Sequence, residues 1–218
     1  EKKMKKVKIA IQGELGAYSH IAVNNLFKDA EVKTCSTFEE TFKQAYEDDS
    51  YKIIIPIENS LAGRVADIHY LLPKYKLQIH GEYFLNVEHN LLCKPDAEIN
   101  DIKFVRSHAQ AIGQCQKIIH KNKFQPIISA DTAGSAKELA EGNDKSIAAI
   151  ASDLSAKIYK LKILEKNIED EKGNVTRFLI MGKNIEQPEF SNEKKFITSC
   201  IFRVKSEPSA LYKCLGGF

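Results

Sequence analysis

The run Gly173-Asn174-Val175-Thr176-Arg177-Phe178 sets a turn, two neutral hydrogen-bonding groups and one permanent cation at the entrance to the apolar segment Leu179-Ile180-Met181. A strand entered in this way can aim all three groups at an anionic ligand. Arg177 offers a planar fork that matches a carboxylate, and Thr176 a hydroxyl that donates or accepts beside it. Taken alone, the hexapeptide also fits a Gly-Asn turn followed by ordinary exposed strand residues. A second run, Pro56-Ile57-Glu58-Asn59-Ser60-Leu61-Ala62-Gly63, puts a carboxylate and an amide at the end of the very apolar strand Ile53 to Ile55. Such a polar pair must find partners or meet a ligand; an Asx-type turn with Glu58 in solvent is the alternative. His108, beside Ser107, reads either as a general acid or as a hydrogen-bonding neighbour of a helix cap.

Several predicted strands pass into helices through a small hydroxyl residue, at Gly13 to Ser19, Glu58-Asn59-Ser60, Ser107-His108, Asp131-Thr132 and Ser152-Asp153. Each hydroxyl is a plausible helix N-cap. The free amides of a first helical turn also attract anions, and in an open α/β sheet they gather at the carboxyl ends of the strands. Five such junctions together with Arg177 point to a small molecule that carries carboxylates. The loop Gly13 to Gly16 is not G-x-G-x-x-G and no Walker lysine follows, which disfavours a nucleotide.

The elements that must position these groups are short β-branched runs alternating with helical patterns. Val7 to Ile11 precedes Ser19 to Phe27, Val32 to Cys35 precedes Phe38 to Tyr46, and Lys52 to Ile55 precedes Leu61 to Leu72. This is the rhythm of a parallel sheet with helices on its faces. A strand-like stretch, Leu77 to Leu92, opens a second set. It continues with Lys103 to Arg106 and helix Ala109 to His120, Pro126 to Ser129 and helix Thr132 to Glu141, then Ser146 to Ile150 and helix Ser152 to Tyr159. Two α/β lobes are therefore expected, divided near residue 80, with the strand from Asn174 to Met181 returning to the first. A chain that crosses twice leaves a cleft, where small ligands usually bind.

Composition narrows the class. The chain has 218 residues, 43% hydrophobic and 28% charged, with a formal net charge of +3, no Trp and no basic-aromatic interleaving. That is enough for one sizeable domain or two modest ones, and it argues against a nucleic-acid partner. The Lys-rich start leads into only five apolar residues, Val7 to Ile11, so neither a signal peptide nor a membrane span is expected. The five cysteines are scattered without C-x-x-C spacing, and the six histidines lack ligand spacing. They predict reduced thiols in a cytoplasmic protein and no metal. Residues 183–195 read as a polar linker. Beyond it, Phe196 to Val204 is strand-like and Glu207 to Tyr212 reads as a loop and first helical turns, too short a piece for a domain.

Four segments in order, Gly13 to Ser19, Pro56 to Gly63, Ser107 to Cys115 and Asn174 to Phe178, resemble the prephenate dehydratases, and the tracts from Ala148 to Asp153 and from Ile168 to Asn174 extend the match over roughly residues 7–182. The resemblance implies a two-lobed fold like a type II periplasmic binding protein. It places prephenate in the cleft, needs no cofactor, and yields phenylpyruvate, water and carbon dioxide on the way to phenylalanine. Thr176 would donate to the departing hydroxyl, Arg177 would pair with a carboxylate, and Phe178 would wall the site. Ser19, Asn59, Ser60, Gly63, Ser107, His108, Gln110 and Asn174 would complete the substrate contacts. An excess of charge on the ring carboxylate's partner would oppose decarboxylation, so the pyruvyl carboxylate is the expected partner of Arg177.

The same resemblance implies that residues 196–218 begin a ferredoxin-like ACT regulatory domain. Phenylalanine would be its effector, touching Ala210 and Leu211, and the chain would form a dimer or tetramer. Family members usually carry Gly where Ser209 stands, and continue into a Glu-Ser-Arg-Pro segment that this chain lacks. A chain that begins directly at the first strand is expected to be monofunctional rather than fused to a mutase. Two other readings are a non-catalytic binding module for a small carboxylate, built on the same scaffold, and a dehydratase that also takes arogenate.

Overall fold

The computed structural model describes residues 6–184, 189, 191–193 and 195–217. The chain divides into two compact units, one up to residue 185 and one from 186 on. The elements of the first unit run β1 (Lys8–Gln12), α1 (Tyr18–Leu26), β2 (Glu31–Cys35), α2 (Phe38–Glu47), β3 (Tyr51–Asn59), β4 (Gly63–Arg64), α3 (Ala66–Tyr75), β5 (Gln78–Asn86), β6 (Asn90–Cys93), β7 (Phe104–His108), α4 (Ala109–Gly113), α5 (Gln116–Asn122), β8 (Gln125–Ser129), α6 (Thr132–Glu141), β9 (Ile147–Ala151), α7 (Asp153–Ile158), β10 (Lys162–Glu165) and β11 (Val175–Gly182). They build two α/β lobes, each around its own sheet.

The first sheet has the order β2-β1-β3-β11-β5, with β4 paired to β3. Strands β1, β2 and β3 are parallel, as the βαβ rhythm requires, and β11 runs antiparallel between β3 and β5. The central strands are buried on both faces: Ile53, Ile55 and Leu179 pack with Phe42 of α2 and Ile68 of α3, while Ile9, Ile11, Ile54 and Phe178 pack with Ala22 and Val23 of α1. Continuous β-branched runs are what such two-sided burial selects. The second sheet has the order β10-β6-β9-β7-β8, again with helices on both faces. Both sheets are mixed rather than purely parallel, because the strands next to the crossings enter from the other lobe.

Three expectations shift. The stretch Leu77 to Leu92 is not one strand: β5 stays in the first sheet as far as Asn86, and β6 begins the second at Asn90. The crossing therefore lies at residues 87–89, not near 80. Helix Ala109 to His120 breaks at Gln114 and Cys115 into α4 and α5, with Cys115 outside helical geometry. No helix follows Asn59-Ser60 directly; the chain first forms β4, and α3 starts at Ala66.

The glycine loop after β1 has a packing role. Gly16 lies at φ +95, and its carbonyl accepts from the hydroxyls of Ser152 (2.6 Å) and Ser155 (3.0 Å), both buried at the start of α7 in the second lobe. Tyr159 donates to the carbonyl of Leu15 (2.8 Å), and Lys137 pairs with Glu14 (3.2 Å). This loop fastens the first lobe to the second.

The second unit contains one helix among its described residues, α8 (Ala210–Leu215), entered through Ser209 in the left-handed region (φ 64). The expected strand over 196–204 is not formed. A strand satisfies its backbone by pairing in a sheet, and residues 196–204 belong to neither sheet. The expected linker includes residues 185–188, 190 and 194, which lie outside the described residues.

A Cβ on residue 16 would stand 2.5 Å from the Ser155 hydroxyl and 2.9 Å from its Cα, at a backbone angle that L side chains rarely adopt. Gly16→Ala is expected to cost about 2 kcal/mol. At roughly 2–4 °C per kcal/mol this lowers Tm by about 4–8 °C, which thermal unfolding by circular dichroism measures.

Candidate active site

A cleft of about 380 Å³ opens between the two sheets, lined from the first lobe by Gln12, Ser19, Phe38, Pro56, Asn59, Thr176 and Phe178, and from the second by His108, Gln110, Gln114 and Asp131. Asn174 and His89, on the two crossing segments, form its back. The register of β11 explains why Thr176 meets Asn59. The two are cross-strand partners where β3 and β11 begin to diverge, and side chains there project toward the crossing.

Asn59 is the most constrained side chain of the site. Its Oδ1 accepts from the backbone amides of Leu61 (3.0 Å) and Ala62 (2.9 Å), the Asx turn foreseen as an alternative. Its Nδ2 is thereby turned inward and donates to Asn174 Oδ1 (2.6 Å) and to Thr176 Oγ1 (2.9 Å). The amide uses all four of its hydrogen-bonding positions, so its O and N ends are assigned by the network. Thr176, 9% exposed, therefore accepts with its oxygen, and among the described residues its hydrogen has no acceptor. Asn174, 3% exposed, donates onward to Gln114 Oε1 (2.9 Å), which also meets His89 Nε2 (2.9 Å). The other ring nitrogen of His89 lies 2.7 Å from the Tyr18 hydroxyl. The Ser60 hydroxyl donates to the Gly173 carbonyl (2.9 Å) and accepts from the Val175 amide (2.9 Å), tying the loop before β11 to the end of β3.

Of the residues expected at the site, Ser19, Asn59, His108, Gln110, Asn174, Thr176 and Phe178 line the cleft, and four do not. Arg177 is on the opposite face of β11, because successive strand residues alternate and Thr176 and Phe178 both face the cleft. Its guanidinium is bidentate on Glu82, with Nε and Nη2 each 2.8 Å from Oε2, and reaches Glu58 at 3.5 Å. Glu58 stays exposed to solvent, as the Asx-turn alternative has it, with this long ion pair at its carboxylate. Ser107 is fully buried and donates to the Ile150 carbonyl (2.6 Å), holding β7 to β9. Ser60 is the clasp just described, and Gly63, at φ +80, forms the turn into β4.

The expected caps shift by a residue or two. Ala17, not Ser19, precedes α1; His108 itself caps α4, accepting from the Gln110 amide (3.3 Å); Asp131, not Thr132, caps α6. Ser152 caps α7 as foreseen. The cap position is decided by where the strand stops, and each strand stops slightly differently from its sequence pattern.

Tyr18, His89 and Gln114 also line the cleft and carry the network, but no role was read for them in the sequence. Gln114 and Tyr18 sit inside segments that drew attention for other residues. His89 gave no signal because it fell within a run read as one strand. The partners of Gln114 are 25 and 60 residues away, beyond any local pattern.

Among the described residues the cleft lining holds no Lys or Arg, and its one carboxylate, Asp131, is engaged by the Gly134 amide (2.6 Å). An anion here meets amides, hydroxyls, imidazoles and the uncapped start of α1, whose dipole favours negative charge. Among the described residues no group of three or more His, Cys, Asp or Glu is placed to hold a metal, and no helix is long and apolar enough to cross a membrane.

Burial pushes the His89 imidazole below the usual histidine range, offset in part by Gln114 and by Glu169, whose carboxylate accepts from the His89 amide (3.0 Å). Burial lowers His20 in the same direction, and burial with Lys52 lowers His80. A histidine depressed in the folded state takes up protons on unfolding at acid pH. Its stabilising contribution is complete above its unfolded value, about 6.5, and is lost as pH falls through that value toward the folded one. Urea unfolding is expected to give a lower free energy at about pH 5 than at about pH 7.5, with a smaller difference in His89→Gln.

The comparisons with known proteins agree on one family. The model described as "Prephenate dehydratase" matches residues 9–186. A bifunctional N-acyl-homoserine lactone acylase/prephenate dehydratase of Komagataeibacter europaeus is 39% identical over 212 residues, 96% of this chain and 74% of that protein. Arogenate dehydratase/prephenate dehydratase 2 of Arabidopsis thaliana is 37% identical over 213 residues, 98% of this chain, which spans only 55% of that protein. The crystal structure of prephenate dehydratase in complex with L-Phe from Arthrobacter aurescens superposes with a TM-score of 0.78 at 25% identity, covering 85% of this chain and 62% of that one.

Proposed function

The chain belongs to the prephenate dehydratase family, and we propose that its cleft converts prephenate to phenylpyruvate, carbon dioxide and water. The observation that carries this reading is Thr176, which lines the cleft with its oxygen accepting from Asn59 and with no acceptor for its hydrogen among the described residues. Prephenate requires little of a protein. The bond from ring to carboxylate breaks, its electron pair enters the ring, and the ring hydroxyl departs with its own bonding pair and takes a proton that solvent supplies. Aromatisation drives both cleavages.

A threonine hydroxyl is too weak an acid to surrender its proton outright, so Thr176 acts by hydrogen bonding to the charge that grows on the leaving oxygen. The Asn59 amide, donating to the same oxygen, makes that hydroxyl a better donor through the chain of bonds. Asn174 and Phe178 shape the pocket, and Ser19, His108 and Gln110 supply neutral contacts to the substrate.

A site without Arg or Lys suits this chemistry. A guanidinium on the ring carboxylate would stabilise the ground state and raise the barrier to losing carbon dioxide. In this reading neutral donors, rather than the Arg177 guanidinium expected from the sequence, meet the substrate carboxylates. Paired with Glu82 and Glu58, Arg177 supports the strand that carries Thr176. Removing the Thr176 hydroxyl is expected to lower kcat about a hundredfold with little change in KM, while Thr176→Ser retains most of the rate. Phenylpyruvate formation, read by its absorbance in alkali, checks this; no turnover by the native chain above the Thr176→Ala level would overturn the enzyme reading in favour of a binding module.

Residues 196–217 support a second part of the reading, the start of a phenylalanine-responsive ACT domain through which the protein forms a dimer or tetramer. Ser209 adopts the left-handed backbone that favours glycine, the residue family members usually have there, and leads into α8 with Ala210 and Leu211. The Arthrobacter aurescens relative was crystallised in complex with L-Phe. Prephenate turnover with and without millimolar phenylalanine tests it, and an unchanged rate would remove the effector from this chain. The same assay run with arogenate decides whether that substrate is also accepted.

A further inference from the structure

The hydrogen-bond directions at the back of the cleft can be deduced one after another from backbone amides. The Leu61 and Ala62 amides can only donate, so the Asn59 contact they share is its oxygen and its nitrogen faces Asn174. Asn174 must then present oxygen to Asn59 and nitrogen to Gln114, so the Gln114 atom in that contact is its oxygen. The same oxygen stands 2.9 Å from His89 Nε2, which must therefore carry a hydrogen and donate it. Neutral His89 is then left with an unprotonated Nδ1; the Tyr18 hydroxyl stands 2.7 Å from it and 2.8 Å from the Glu88 carbonyl, so its single hydrogen is shared between two acceptors and the assignment of Nε2 rests on the Gln114 side. His89 is 3% exposed, so water does not compete for these positions.

With both contacts on its oxygen, the NH2 of Gln114 has no hydrogen-bond partner among the described residues, and Gln114 lines the cleft. Its two hydrogens are presented where a ligand sits. A reversed amide would present a carbonyl instead and repel an anion. Two donors on one carbonyl oxygen, His89 from the crossing at 87–89 and Asn174 from the returning crossing, forbid that reversal. The break between α4 and α5 at Gln114 and Cys115 is what turns this side chain toward both crossings.

We propose that Gln114 is a substrate-binding residue that donates its amide hydrogens to a carboxylate of the substrate, and that His89, as the Nε2–H tautomer, is the positioning residue that keeps the donor end of that amide facing the cleft. The proposal rests on the dehydratase reading and adds to it the group that takes the place left by Arg177. It also explains a buried histidine that the chemistry of Thr176 does not use.

Three measurements on the full chain test it. Nitrogen-15 NMR of the imidazoles without substrate, at about pH 8 where histidine is neutral, should show His89 protonated at Nε2 and bare at Nδ1; the opposite tautomer overturns the proposal whether or not the protein turns over prephenate. Gln114→Glu, which keeps an oxygen for His89 and Asn174 but turns a second oxygen to the cleft, should raise KM for prephenate roughly 10- to 100-fold and change kcat far less. A native KM in this variant overturns the binding role. His89→Gln should raise KM in the native background and add nothing in a Gln114→Ala background, since a positioning residue has no effect once the group it positions is gone. Additive effects would reduce His89 to a structural residue and overturn that half. If His89→Gln does not fold, the tautomer measurement decides the same point. Native protein that lacks prephenate turnover but shows the Nε2–H tautomer would count against the dehydratase reading and leave the orientation of Gln114 standing.

Discussion

The site depends on the register of one strand. β11 arrives from the second lobe and inserts between β3 and β5; the pairing that places Leu179 beside Ile55 and Ile180 beside Ile54 shifts by one residue between Phe178 and Arg177 and so sets Thr176 opposite Asn59. A slip of one residue would turn every side chain to the other face and bring Arg177 into the cleft in place of Thr176. The apolar half of β11, buried on both sides of the sheet, makes that slip prohibitive, so the core of the first lobe fixes the position of the polar half. Ser60, bonded to the Gly173 carbonyl and the Val175 amide, locks the same register at the strand's entrance.

From that register the polar network follows with no freedom left in it. Backbone amides orient Asn59, Asn59 orients Asn174 and Thr176, and Asn174 with His89 orients Gln114. Each member is buried or half-buried, where an unpaired polar group costs about 1–3 kcal/mol, so the arrangement persists without a ligand. The result is a preorganised set of neutral donors facing a space to which no described Lys or Arg contributes. Donors already aimed need no reorganisation as charge develops, which is the main way a site of this kind accelerates a reaction. Neutral donors also bind a carboxylate without holding it so strongly that its departure as carbon dioxide is opposed.

The two lobes meet through the crossings and through the glycine loop. Gly16 approaches α7 so closely that only hydrogen fits at its α-carbon, and its carbonyl takes both serine hydroxyls. The glycine loop, whose spacing disfavoured a nucleotide, thus fastens the lobes through Gly16 while Gly13 lines the cleft. The strand-to-helix serines divide in the same way: Ser152 caps and clasps, Ser107 joins two strands inside the second sheet, and Ser60 secures β11. Hydroxyls at such junctions are satisfied by whatever carbonyl the tertiary fold brings near, which is why their type was foreseeable and their partner was not.

Much of the molecule could be read from its residues alone. Hydrophobic periodicity and β-branched runs give nearly every helix and strand of both lobes, since these signals are local, and the ordered motifs identify the family and bring Asn59, Asn174, Thr176 and Phe178 to notice. Local signals end at the point where two chain segments must be compared. Whether Arg177 or Thr176 faces the cleft depends on which face of β11 is turned to α1, and that is settled by packing across the sheet. Whether Leu77 to Leu92 is one strand or two depends on which sheet offers a partner on each side of residue 87. The roles of His89 and Gln114 exist only because residues 25 and 60 positions apart in the chain share one oxygen atom. Composition and spacing determined which groups the chain has for its chemistry; tertiary contacts, by deciding which face is buried and which hydrogen bonds are already taken, determined which of those groups remain free to use.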